Sequence, residues 1–127
     1  MKIGVIFIIY NCDDCVDACL TPWFNLREKY DFVFTITSGM FKEYHALGFP
    51  DRNQKTLEKL LKYKPNFLML THGRHLLGET DGRNLCLEFL KKNNYDLLWI
   101  VGGDEIYTEK QINDIIEYVN NNQKWDV

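Results

Sequence analysis

The 127 residues are 46% hydrophobic and 26% charged, the make-up of one globular domain (1–127) that can build a core without staples. A net charge of −3 with no basic block excludes electrostatic recruitment of nucleic acid. No apolar run reaches the roughly 18–20 residues needed to span a bilayer, and the N-terminus lacks the cleavage site of a secretory leader, so neither a transmembrane segment nor a signal peptide is expected.

Residues 2–10 form a nearly unbroken apolar, β-branched run, the pattern of a strand covered on both faces and therefore central and parallel. Asn11 and Asp13 are candidate caps for the helix that follows. That helix carries Val16, Cys19 and Leu20 on one face and is restarted or kinked at Thr21-Pro22 before Trp23, Phe24 and Leu26. A second strand spans 31–37, with Phe32, Phe34 and Ile36 alternating against Val33 and Thr35. Residues 38–50 read as a loop, punctuated by Gly39, Gly48 and Pro50. Asp51 then opens a helix containing Thr56, Leu57, Leu60 and Leu61, which Pro65 ends.

A third strand is expected at 67–71, followed by a loop at 72–80. Asp81-Gly82-Arg83-Asn84 starts a helix with Leu85, Phe89 and Leu90 inward. The fourth strand, 96–101, stops at Gly102-Gly103-Asp104-Glu105. Thr108 with Gln111 three residues later is a capping box for the last helix, whose apolar face is Ile112, Ile115, Ile116 and Val119. Tyr107 and Ile112 stand where a hydrophobic staple would form.

Strands and helices alternate throughout, which predicts an α/β domain with a parallel sheet and helices on both faces. Right-handed crossovers favour the strand order 3-2-1-4, with the switch point between the first and fourth strands. Ligands of open α/β sheets bind outside the carboxyl ends of the strands at such a point. The loops expected there hold Tyr10-Asn11 and Gly102-Gly103-Asp104-Glu105. Two adjacent carboxylates suit a hard divalent cation that bridges to phosphate oxygens. The competing reading is a solvated βα loop whose glycines merely serve a turn.

Four segments in this order resemble the nucleotide-sugar half of the GT-A glycosyltransferases of the family-2 type. They are Ile8-Ile9-Tyr10-Asn11-Cys12-Asp13-Asp14 after the first strand, Cys19-Leu20 in the first helix, Gly82-Arg83-Asn84 at a helix start, and Gly102-Gly103-Asp104-Glu105 followed by Thr108-Glu109-Lys110-Gln111. The resemblance implies a Rossmann-like GT-A nucleotide-binding domain that binds a nucleoside diphosphate sugar, most simply a UDP-sugar, and transfers the sugar to an acceptor it does not itself specify. It implies Ile9, Tyr10, Asn11, Asp13, Thr37, Arg83, Gly103 and Asp104 as substrate contacts. Asp104 and Glu105 would be the ligands of Mn²⁺ or Mg²⁺.

Three departures from the family pattern stand out. Gly102 occupies the place of the first metal-motif aspartate. Thr37-Ser38-Gly39 replaces the acidic run that ends the family's second strand, so base recognition falls to hydroxyls or backbone groups. The family's acceptor segments and catalytic base have no counterpart in this sequence, so no catalytic residue is assigned. Without those segments Phe41, Leu47, Phe49 and Trp125 are expected to be left uncovered, which leads us to expect a homo-oligomer.

Alternatives stay open for individual residues. Arg83 either meets phosphate or pairs with Glu79 or Asp81; Asp13 meets the nucleotide or caps a helix; Asp81 caps a helix or accepts from a sugar hydroxyl. His72 and His75 either touch diphosphate or are polar surface. A non-catalytic nucleotide-sugar-binding module is the main rival function. A response regulator is disfavoured because no Asp ends the third strand.

Cys12-Asp13-Asp14-Cys15 invites a thioredoxin-like redox or zinc reading. The acidic neighbours oppose thiolate activation, however, and no nearby His completes a zinc site, so the cysteines are expected to serve as packing. Cysteines this few and this local point to a reducing, cytoplasmic setting.

Overall fold

The computed structural model describes residues 1–39, 42–48, 50, 52–71 and 79–122. Their order is β1 (Lys2–Ile9), α1 (Val16–Asn25), β2 (Asp31–Gly39), α2 (Lys42–Ala46), α3 (Gln54–Leu60), β3 (Phe67–Thr71), α4 (Glu79–Lys92), β4 (Leu97–Gly102) and α5 (Glu109–Asn121). The four strands form one parallel sheet in the order β3-β2-β1-β4, as the alternation predicts. The continuous apolar run of β1 is explained by its position, since it is hydrogen-bonded on both sides and covered on both faces.

Period-two alternation divides β1 between two cores. Ile3, Val5, Phe7 and Ile9 point to the side of α1, α3 and α5, where Trp23 sits fully buried against Phe7, Phe32, Trp99 and Tyr107. The ring centroids are 5.8, 5.7, 4.6 and 5.9 Å away. Ile6 points to the opposite side and packs with Val33, Cys86 and Leu90 under α4.

Several local expectations change. Helix α1 runs through Pro22 as one element. Its N-cap is Cys15, without a side-chain cap bond, rather than Asn11 or Asp13. Asn11 instead takes a left-handed φ of 49°, a conformation Asn tolerates better than most residues. Strand β2 extends to Gly39 because it pairs with β3 up to Thr71, and the segment read as a loop contains the short α2. Helix α3 begins after Asn53; Asp51, like His72, His75, Phe41, Phe49 and Trp125, lies outside the described residues. Both bonds of the Thr108–Gln111 capping box form, at 3.1 and 2.9 Å.

Candidate active site

The loops that leave β1 and β4 are joined by backbone. The Gly103 N–H donates to the Ile8 carbonyl at 2.8 Å, one step past the pairing of Ile8 with Gly102. A Cβ on Gly103 would lie 3.2 Å from both that carbonyl and the Ile9 Cα, so a residue without a side chain is what lets the two strand ends approach this closely. Above them opens a cleft of about 410 Å³, within the ordinary size range of small-molecule sites. Its floor is Ile8, Ile100, Gly102 and Gly103; its rim carries Tyr10, Cys12, Arg83, Asp104 and Glu105.

The two adjacent carboxylates are not equivalent. Glu105 folds back so that Oε1 accepts from the Gly102 N–H at 3.1 Å and Oε2 from the Tyr107 hydroxyl at 3.1 Å. Burial is the main cause raising the Tyr107 pKa, with the Glu105 hydrogen bond adding to it, so the phenol stays a proton donor to this carboxylate. Asp104 is exposed at the rim, with Oδ1 beside Gly102. Among the described residues no group of three or more His, Cys, Asp or Glu side chains could hold a metal. Two carboxylates alone are nonetheless compatible with a cation such as Mg²⁺, which typically keeps several waters and is held by one or two carboxylates plus substrate phosphates.

Tyr10, Arg83, Gly103, Asp104 and Glu105 therefore line one cleft. The other candidates lie elsewhere. Ile9 is fully buried in the core beneath α1; its Cα and Cγ1 lie against Gly103, and it is absent from the cleft lining. Asn11 is exposed beside the cleft, its N–H held by Asn53 Oδ1 at 2.8 Å. Asp13 is absent from the cleft lining, and its carbonyl accepts from Lys59 Nζ. Asp81 is not a helix cap, because α4 already begins at Glu79; it pairs with Lys42 at 3.6 Å.

Thr37 is 4% exposed and faces α4 rather than the cleft. The reason is the close passage of Gly82: a Cβ there would lie 2.4 Å from Thr37 Oγ1. Gly82→Ala should accordingly destabilise the fold by about 1–3 kcal/mol through overpacking. Helix propensity alone would give a gain of ~1 kcal/mol. Removing the obstructing hydroxyl with Thr37→Ala should recover part of the loss in a double-mutant cycle read by denaturant unfolding. A stabilised Gly82→Ala protein would refute the close contact.

Sequence reasoning missed the supports of the β1–α1 loop. Asn53 is 1% exposed; its Oδ1 accepts from Asn11 and its Nδ2 donates to Ser38 Oγ at 3.0 Å. Thr56 Oγ1 accepts from the Cys12 N–H at 2.9 Å. Asn and Thr at a helix start read as ordinary cap and filler, and nothing local reveals a contact more than 40 residues back. Of the three clustered cysteines, Cys19 is fully buried; Cys12 is half-buried, packing against the core and also lining the cleft, and Cys15 is partly exposed.

No protein-family profile matches the sequence, and no curated protein matches it either. Among solved structures, the crystal structure of S. aureus TarS (residues 1–349) aligns with 97% of this chain at a TM-score of 0.61 and 16% identity. The chain spans about a third (33%) of the length of that structure. No described helix is long and apolar enough to cross a membrane. The chain thus has a Rossmann-type parallel α/β fold similar to part of the TarS structure, with its cleft at the junction of β1 and β4.

Proposed function

We propose that this domain binds a nucleoside diphosphate sugar, a UDP-sugar in the simplest case, together with Mn²⁺ or Mg²⁺, and that it acts as a glycosyltransferase toward an acceptor still to be identified. The observation that carries the reading is the meeting of Asp104 with Arg83 and Tyr10 across one cleft at the sheet's switch point. Asp104 would hold the cation, and Glu105, tied to Gly102 and Tyr107, would chiefly fix the loop that presents it. A bound divalent cation neutralises charge on the leaving diphosphate. Arg83 adds a permanent positive charge with donors suited to phosphate oxygens. Gly103 keeps the strand ends together beneath the ligand.

Asp104 and Glu105 are the only carboxylates or imidazoles among the described lining residues, and Glu105 is already engaged. That observation favours a second reading, a nucleotide-sugar-binding module without turnover, since an inverting displacement needs a general base. Calorimetry with UDP, other nucleotides and UDP-sugars, with Mn²⁺ or with chelator, tests the binding. Release of UDP from the sugar nucleotide in the presence of candidate acceptors separates enzyme from module. Absence of binding to every nucleotide in either condition would overturn both readings.

We also expect self-association through β4. Among the described residues β4 has β1 as its only hydrogen-bonded neighbour, and Leu97–Gly102 contains no charge. Such an edge is a template for further strand pairing, and a two-fold antiparallel pairing with a second copy would set no like charges against each other.

The flanks of this edge are apolar too. Ile100 is exposed on one face. On the other face, Ile115 and Tyr118 occupy the side of α5 opposite Asn113, which accepts from Tyr30 near α1. Leu47 is exposed as expected, but it lies in the α2 segment, away from this edge. Sedimentation should show a dimer at tens of micromolar (about −6 kcal/mol of association), and Ile100→Lys should shift it to monomer. A wild-type monomer at that concentration would exclude the pairing.

A further inference from the structure

Cys12 and Cys15 stand at opposite ends of a single closed turn. The Cys15 N–H donates to the Cys12 carbonyl at 2.9 Å. A turn of this kind holds its first and fourth Cα atoms within about 7 Å. That separation overlaps the ~4.4–6.8 Å window in which a disulfide joins two residues without moving the backbone. Both are free thiols, both are partly exposed, and Cys12 borders the cleft. The other two cysteines, Cys19 and Cys86, are fully buried, so a reagent in solution meets only this pair.

We infer that Cys12 and Cys15 form a reversible dithiol–disulfide site in the β1–α1 wall of the cleft, oxidised by small-molecule disulfides. The order of the exchange follows from the surroundings of each sulfur. Hydrogen bonding to Cys12, then burial, then Asp14 push the Cys15 thiol up to about 12, so it stays protonated at neutral pH. Cys12, which borders the cleft, is the sulfur that a reagent there reaches first and the one that attacks. Its thiolate forms a mixed disulfide with one half of the reagent and releases the other half as a thiol. Cys15 then gives up its proton, attacks Cys12 Sγ and expels the second thiol. Two protein thiols are oxidised to one S–S bond, and one reagent disulfide is reduced to two thiols. The bridge would fix the turn whose first amide, that of Cys12, is held by Thr56 next to the Asn11 amide held by Asn53, and so the wall that carries Tyr10 and Cys12.

An uncharged probe, bis(2-hydroxyethyl) disulfide, suits the test, because Asp13 and Asp14 repel anionic disulfides. The whole chain is incubated with it, its remaining thiols are alkylated under denaturing conditions, and the cross-link is mapped by mass spectrometry. The expected result is loss of two of the four alkylatable thiols, a Cys12–Cys15 link, and full recovery with excess reductant. Cys15→Ser should instead stop at a stable adduct on Cys12, while Cys12→Ser should take up reagent at least ten-fold more slowly. Four thiols persisting in the wild type, or a link involving Cys19 or Cys86, would overturn the site. An adduct that accumulates on Cys15 rather than Cys12 would overturn the order of attack. Because these readouts use no nucleotide, their outcome is independent of the proposed sugar-nucleotide activity.

Discussion

Asp104→Asn should abolish the enhancement of UDP binding by Mn²⁺ while leaving the fold intact. The side chain is exposed at the rim of the cleft and lies outside both hydrophobic cores, so the change removes a charge without opening a cavity. A neutral amide is a poor ligand for a hard cation, which takes oxygen donors and chiefly carboxylates. Affinity measured with Mn²⁺ should fall about ten-fold or more, equivalent to ~1.4 kcal/mol or more, whereas affinity in chelator should stay level. Glu105→Gln should reduce the metal effect less, because Glu105 acts mainly through the Gly102 N–H and the Tyr107 hydroxyl. Equal UDP affinity of the wild-type protein with and without chelator would remove the metal from the proposal.

Trp23→Ala should cost about 3–5 kcal/mol of folding stability, the largest loss expected for any single substitution here. Its indole is fully buried, and four aromatic rings, Phe7, Phe32, Trp99 and Tyr107, converge on it from β1, β2, β4 and the loop before α5. Truncation leaves a cavity that surrounding rings from several elements cannot close together. A domain of this size has only about 5–15 kcal/mol to lose, so the variant should unfold at much lower denaturant. Leu61→Ala, at a residue 66% exposed, should stay within about 0.5 kcal/mol of wild type and serves as the control. A Trp23→Ala midpoint close to that of Leu61→Ala would show that the aromatic cluster does not hold the sheet to α1 and α5.

The sequence by itself determined the sheet. The apolar run of β1 can be satisfied only by cover on both faces, and the strand–helix alternation with right-handed crossovers leaves few orders besides the observed β3-β2-β1-β4. It also determined the start of α5, because a capping box is written within four residues, and the meeting of the β1 and β4 loops, because topology brings together the ends of adjacent strands.

Tertiary structure decided which side chains face that junction. Strand periodicity shows that Thr37 lies on the opposite face from Ile36, but not that α4 passes over it at Gly82. Two neighbouring carboxylates look alike in sequence, yet Glu105 turns inward to the Gly102 N–H and Asp104 does not. Cys12, read as packing, borders the cleft because Asn53 and Thr56, more than 40 residues away in the chain, fix the loop that carries it. Elements follow from local patterns of burial and capping; the direction of a loop side chain follows from long-range hydrogen bonds that no local pattern encodes.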